Sequence, residues 1–350
     1  MRNRVEKPPG TAAADDGSNR IEQGPKNFPE MRTALGYSRQ GEPLSLNRAP
    51  AKEIAPWVAR VYSTKVELAP GDQVSCGLIS DVPVMRVLFS GAWTAQTRDG
   101  HGRYGPSALL FGAHTKRMPV TVRDSFSTVG VWLKPGAMAA LKGPDVASTL
   151  DRIILYDHIY GNEEWGSSRK LLEWFDPGGT PKRWMRVGEK LVAQLIELAG
   201  GKRPDPIIEQ FDKAAFRDPN LNIGEFAKEH AIERRRLERL IKHGYGQTAT
   251  QVLRRARALD IAAHLRGVAD DSEAEDAALR FFDQSHMIRE FKTFFGMTPR
   301  QFATTPQPFM AITLEARQAR RLETIGRMEP NAPPPWRDPD YYALRRAAVR

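Results

Sequence analysis

Leu237-Glu238-Arg239-Leu240-Ile241-Lys242-His243-Gly244-Tyr245-Gly246-Gln247-Thr248 is echoed fifty residues later by Met287-Ile288-Arg289-Glu290-Phe291-Lys292-Thr293-Phe294-Phe295-Gly296-Met297-Thr298, and Gln251 and Gln301 extend the register. Over positions 237–251 five of fifteen residues are identical to their counterparts: Arg, Lys, Gly, Thr and Gln. Roughly one identity is expected by chance, so the pair reads as a duplicated unit. Apolar residues fall at i, i+4 and i+8 in both copies, as Leu237/Ile241/Tyr245 and Met287/Phe291/Phe295. That spacing predicts two amphipathic helices, with Gly246 and Gly296 as C-cap candidates.

The faces opposite these apolar stripes carry the chemistry. Copy one presents Arg234, Arg235, Arg236, Glu238 and Arg239; copy two presents Gln284, Ser285, His286 and Arg289. Arg reads guanine O6/N7 with two parallel hydrogen bonds and Gln reads adenine N6/N7, each contact discriminating by about 1–3 kcal/mol. Lys242 and Lys292, one turn further along, suit phosphate contacts. A solvated basic face is the ordinary explanation for such residues. Duplication of a packing unit accounts for recurring Gly and Thr, but it gives no reason for outward Arg and Lys to recur.

Charge distribution agrees. The net charge is +10, and residues 231–266 hold nine Lys and Arg against three Asp and Glu. The positive charge is thus a local stripe, suited to a polyanionic partner. A single cysteine, Cys76, rules out an internal disulfide framework and any zinc site built on two or four cysteines, and fits a reducing compartment. The polar start, with Arg2, Arg4, Glu6 and Lys7, has no apolar core of a secretory signal, and no run reaches eighteen apolar residues. A cytoplasmic, nucleoid-associated location without a membrane contact is expected.

The fold class expected is α+β. Residues 1–50, rich in Gly, Pro and Asn, read as a disordered arm. Residues 51–136 read as a β-rich barrel or sandwich with strands at 84–89, 107–111, 120–122 and 127–133, ended by Pro135-Gly136. Residues 137–204 form a helical connector, with a Val187/Leu191/Leu195/Leu198 stripe and a hinge at Gly200–Pro204. Residues 205–304 are all helix: a supporting helix around Ile223–Ala227, the first duplicated helix, a long helix from Thr250, a second support at 274–279 and the second duplicated helix. A basic, Pro-broken tail occupies 305–350.

Phe281-Phe282-Asp283-Gln284-Ser285-His286-Met287-Ile288-Arg289-Glu290-Phe291-Lys292-Thr293-Phe294-Phe295-Gly296-Met297-Thr298-Pro299-Arg300 resembles the C-terminal signature of the AraC/XylS family of bacterial transcription regulators. The resemblance covers about 205–304 and implies two helix–turn–helix units, joined by the helix at 250–265, that read successive major-groove segments about 34 Å apart on operator or promoter DNA. Gly130–Ala137 is similar, more loosely, to a β-rich domain fused to such regulators. In the family that domain senses an effector or forms a homodimer, and activators also contact RNA polymerase. The chain departs from the family pattern at three places: Ala231 and Arg280 stand where each turn usually has Gly, and Asp276 stands where a small apolar residue is usual. Asp270, Asp271, Glu273, Glu275 and Asp276 make the second support acidic, so copy one is the stronger expected anchor.

Other motifs carry less. Gly100-His101-Gly102-Arg103-Tyr104-Gly105 matches G-x-G-x-x-G but lacks the preceding strand and following helix of a dinucleotide site, and reads as a hairpin loop. His101 and His114 lack metal-ligand spacing. Cys76 has no adjacent His and reads as an inert thiol. Trp93, Trp132, Trp165, Trp174 and Trp184 read as core, with a ligand pocket as the other reading. No catalytic residue, metal or cofactor is expected. A different class, a small-molecule-binding β-barrel with or without catalysis and a non-specific nucleic-acid module, predicts a salt slope without sequence discrimination. A third reading gives the tail helix at 310–325 to protein interaction.

Overall fold

The computed structural model describes residues 45–160, 166–176, 178–269 and 284–337. Two long strands carry the N-terminal part. β4 (Val84–Thr97) and β7 (Met118–Leu133) pair antiparallel, and each is long enough to take two partners on its far side. β7 binds β2 (Val58–Val66) through Phe126–Leu133 and β3 (Gln73–Leu78) through Met118–Arg123. β4 binds β6 (Ser107–Phe111) through Val84–Leu88 and β5 (Gly100–Tyr104) through Trp93–Thr97. The last pair corrects the reading of the Gly100–Gly105 motif: it is the second strand of a hairpin rather than the loop, and β4 does precede it, while the element that follows is the strand β6 and no helix. β1 (Ser45–Arg48) adds beyond β2 and β8 (Ile153–Leu155) beyond β6, completing one eight-stranded antiparallel sheet.

The segments 120–122 and 127–133, expected as two strands, form one. Arg123–Ser125 is an exposed polar break, but it bends the strand without ending it: Asp124 takes φ +61 and its carboxylate accepts from Gly71 N–H at 2.8 Å. Opposite, β4 shifts register between Leu88, Ser90 and Ala92, the bulges that bend a sheet. Gly91 lies there at φ +84, with Phe126 so near that a Cβ would fall 2.5 Å from it. Two strands lie outside 51–136: β1, within the span expected as an arm, and β8, within the expected connector.

Both faces of the sheet are covered, which explains strands apolar at nearly every position. Along β4, Met85, Val87 and Phe89 face α5 (Pro181–Leu198), whose Trp184, Leu191, Val192 and Leu195 seal one core. Val84, Leu88 and Trp93 face the other way, into a core shared with the C-terminal helices. The connector also holds α1 (Ala137–Ala140), α2 (Val146–Thr149), α3 (Asp157–Tyr160) and α4 (Ser168–Glu173).

Beyond the hinge come α6 (Pro206–Arg217), α7 (Ile223–Glu229), α8 (Arg234–Tyr245) and α9 (Ala249–Leu265), then α10 (Gln284–Phe295) and α11 (Pro299–Thr304). The second support expected at 274–279, with Arg280 and the acidic run from Asp270, lies outside the described residues. The tail helix α12 (Pro308–Thr324) is no free appendage: thirteen of its residues are buried, packed against β3 and β2 of the sheet and against α9 and α6. That leaves little surface for a separate interaction segment.

Candidate nucleic-acid interface

Each residue shared by the two copies now has a cause or lacks one. Gly246 and Gly296 sit at φ +69 and +71 just past α8 and α10, the left-handed position at which helices end on Gly. Thr248 and Gln251 form a capping box at the start of α9, and Thr298 and Gln301 form the same box at the start of α11. In both, the Thr hydroxyl accepts from the Gln backbone N–H while the Gln amide returns to the Thr N–H, so two otherwise orphaned donors are satisfied. Leu237, Ile241 and Tyr245 are buried, as are Phe291 and Phe295. The recurring Arg and Lys do none of this. Arg239 and Lys242 on α8, and Arg289 and Lys292 on α10, are turned outward, and all four are exposed.

On α8 the outward set is brought together. Arg234, Arg235, Arg239 and Lys242 line one groove with Glu238, Thr248 and Thr250, of about 690 Å³. Arg236 is exposed as well. Arg234 Nε donates to Glu238 at 3.0 Å, so within the groove the acidic residue holds one Arg in place. On α10, Ser285, His286 and Lys292 are exposed, and Gln284 opens the helix; its side chain is outside the described residues.

The sequence did not flag what holds α10. Glu290 is 3% exposed and lies between Arg254 and Arg257 of α9, at 3.3 and 3.2 Å, with His286 3.9 Å away. The copy-one counterpart is Leu240, so no duplication signal marked it. Arg257 also donates to Pro219 O, at 3.1 Å. The long helix is therefore fastened to α10 by a buried carboxylate.

Both α8 and α10 also touch the N-terminal part at their C-terminal ends. Gly136 N–H donates to Gly244 O at 3.2 Å, and the α2 backbone at Val146–Ala147 approaches Gly246 so closely that a Cβ would meet it at 2.8 Å. Arg117 N–H, in the β6–β7 loop, donates to Phe294 O at 2.6 Å. Among the described residues no cluster of His, Cys, Asp and Glu could hold a metal, and no helix is long and apolar enough to cross a membrane.

Residues 226–305, from within α7 to past the end of α11, match the family of helix-turn-helix domains. The helix-turn-helix domain at 226–305 is of the AraC/XylS type. A chain carrying this domain is a DNA-binding transcription regulator. Residues 47–154, which span the sheet, match a family described only as a domain of unknown function. Among solved structures, ToxT from Vibrio cholerae is similar at 10% identity over 70% of this chain and 98% of its own, with a TM-score of 0.42. ToxT bound to an unsaturated fatty acid is similar at 12% identity over 75% and 95%, with a TM-score of 0.40. The AraC-like transcriptional activator CuxR is similar at 14% identity over 62% and 86%, with a TM-score of 0.24. No curated protein matches the chain significantly.

Proposed function

We propose that this regulator reads a specific DNA sequence with two helices, α8 and α10, set in successive major-groove segments. The observation that carries the reading is the recurrence of outward Arg239/Arg289 and Lys242/Lys292 at equivalent positions of two helices whose other shared residues all serve capping or packing. Arg234, Arg235, Arg236, Glu238 and Arg239 on α8, with Gln284, Ser285, His286 and Arg289 on α10, contact bases or neighbouring phosphates. Lys242 and Lys292 take phosphates.

Footprinting the full chain on DNA upstream of its own and adjoining genes tests this. Two protected segments about one helical turn apart are expected. Arg239→Ala weakens the specific site by about 1–3 kcal/mol and changes non-specific binding far less. Equal weakening on every sequence would remove Arg239 from base reading and favour the non-specific module.

The sheet domain is proposed to sense a small molecule. Between the sheet and α12 lies a cavity of about 40 Å³ lined by Tyr62, Arg86, Trp93, His114, Phe309 and Ala316, among others. Since α12 is also ion-paired to α9, occupancy of the cavity bears on the helices that read DNA. Ala316→Leu, which fills the space, is expected to change affinity for the footprinted site severalfold; unchanged affinity would end the sensing role.

A further inference from the structure

Seven arginines are buried among the described residues, and six have at least one carboxylate or backbone carbonyl as acceptor. Arg60 pairs with Glu323, Arg317 with Asp260 and Asp81, Arg320 with Asp212, and Arg255, Arg266 and Arg321 donate to backbone carbonyls. Arg86 differs. It is 9% exposed, it lies on the cavity wall, and its one hydrogen bond among the described residues runs from Nε to the Tyr62 hydroxyl at 2.6 Å. Burial raises the Tyr62 phenol above its ordinary range, against the pull of Arg86, so Tyr62 is a neutral acceptor and no counter-charge. Aromatic faces take up part of the guanidinium: Phe111 lies 4.2 Å from it and Trp93 4.8 Å. Ring faces offset only a small part of what an unpaired buried charge costs.

The remaining polar groups share one character. Arg86 Nη1, Trp93 Nε1 and His114 Nε2 are buried without a hydrogen-bond partner, and all three side chains line the cavity. Ser80 N–H donates to His114 Nδ1 at 2.8 Å, which places the proton of the neutral imidazole on Nε2. Nearby hydroxyls have their protons committed, Thr128 to Val87 O and Thr64 to Ser45. The unsatisfied groups are therefore all donors around one cation, and the walls beyond them (Phe126, Trp132, Phe309, Ile312) are apolar.

From this donor set we infer that the cavity binds a compact monocarboxylate, its anion on Arg86 with His114 and Trp93 in reach and its apolar body against Phe309 and Ile312 of α12. The inference rests on the sensing role proposed above and gives it a ligand class. Carboxylate oxygens are acceptor-only and match a guanidinium two-on-two, which supplies the missing counter-charge. About 40 Å³ is room for roughly three water-sized groups, so the ligand is short or displaces Phe309.

Calorimetric titration of the full chain with butyrate and benzoate, each against its amide, butyramide and benzamide, tests it, with the unfolding temperature as second readout. Each carboxylate is expected to bind at least about tenfold tighter than its amide. Arg86→Gln brings the two within about threefold, and because it removes an uncompensated charge it is expected not to lower the ligand-free unfolding temperature. Amide and acid binding alike overturn the carboxylate assignment and leave the sensing role standing, as does an acid preference that survives Arg86→Gln. Binding of neither pair overturns the assignment too, while the sensing role stands or falls on Ala316→Leu. The wild-type comparison decides even if Arg86→Gln fails to fold.

Discussion

Ala231 closes the turn between α7 and α8 at φ +49, a conformation that costs an L-residue about 1–2 kcal/mol. It is held there by the paired bonds that end many helices: Ile232 N–H to Ala227 O at 3.0 Å and Ala231 N–H to Lys228 O at 3.1 Å. The position therefore wants Gly for a geometric reason, and Ala231→Gly is expected to stabilise by about 0.5–1 kcal/mol once the greater freedom of unfolded Gly is deducted. A thermal melt raised by about 2 °C checks this, and a fall in the melt would mean that the turn is not strained. His114 gives a second single-residue test. Burial pushes its imidazole down to about 4. The unfolded chain, titrating near 6.5, binds the proton more readily over that window, so this contribution to stability is complete above about pH 6.5 and is lost as pH falls toward 4. The loss is on the order of 3 kcal/mol. Denaturant melts between pH 7 and 4.5 should show a slope that His114→Gln flattens; equal slopes would assign the acid sensitivity elsewhere.

Among the elements, α8 and α10 are alike in cap and core but not in how they are held. Glu290 is the difference, and Glu290→Gln is expected to weaken the hold of α9 on α10 by about 1–3 kcal/mol, the worth of charge-assisted bonds. Faster amide exchange confined to 284–295, with loss of the second protected DNA segment and retention of the first, is the outcome to look for. Loss of both segments would mean that Glu290 supports the whole module. The duplicated helices were legible because caps and apolar stripes are local: Thr248, Gln251 and Gly246 announce a helix end and a helix start within six residues. The strands at Val84–Phe89 and Ser107–Phe111 were legible for a similar reason, as short apolar runs between breakers. Glu290, Arg254 and Arg257 were not, because a lone acid on a basic helix reads as solvated until the partner helix is in place. Arg86 was equally silent: one Arg inside Val84–Phe89 does not disclose that it faces a cavity with no acid in it. The continuous strand through Arg123–Ser125 was missed because an exposed polar triplet looks like a turn, and only the pairing of Arg123 with Ala92 and of Val122 with Trp93 shows otherwise.

For the molecule as a whole, α12 is the member that joins the parts. Its Phe309, Met310 and Leu314 belong to the same core as Val120 and Val122 of the sheet and Phe291 and Phe302 of the helical module. Its arginines tie three segments: Arg317 binds Asp260 of α9 at 2.7 Å and Asp81 of the β3–β4 loop at 3.4 Å, and Arg320 binds Asp212 of α6. Burial works against the charge on Asp81, but Arg317, Arg320 and Arg255 outweigh it and hold the carboxyl below its ordinary range. Tyr245, the last buried residue of α8, donates to the same Asp212 at 2.8 Å, and burial together with Asp212 keeps its phenol protonated well above the usual range. α8, α9, the β3–β4 loop and α12 on the cavity wall thus meet in one network of buried carboxylates and guanidiniums. Arg320→Ala leaves Asp212 and Asp81 short of a buried cation, a loss of about 3–5 kcal/mol when one partner of such a pair is removed. Because the shared core couples the two halves, the wild-type chain is expected to unfold in one calorimetric transition, and the variant in two, with the helical module melting first. A single transition at an unchanged temperature would show that apolar packing alone joins the halves and that the ion network carries no signal between cavity and DNA.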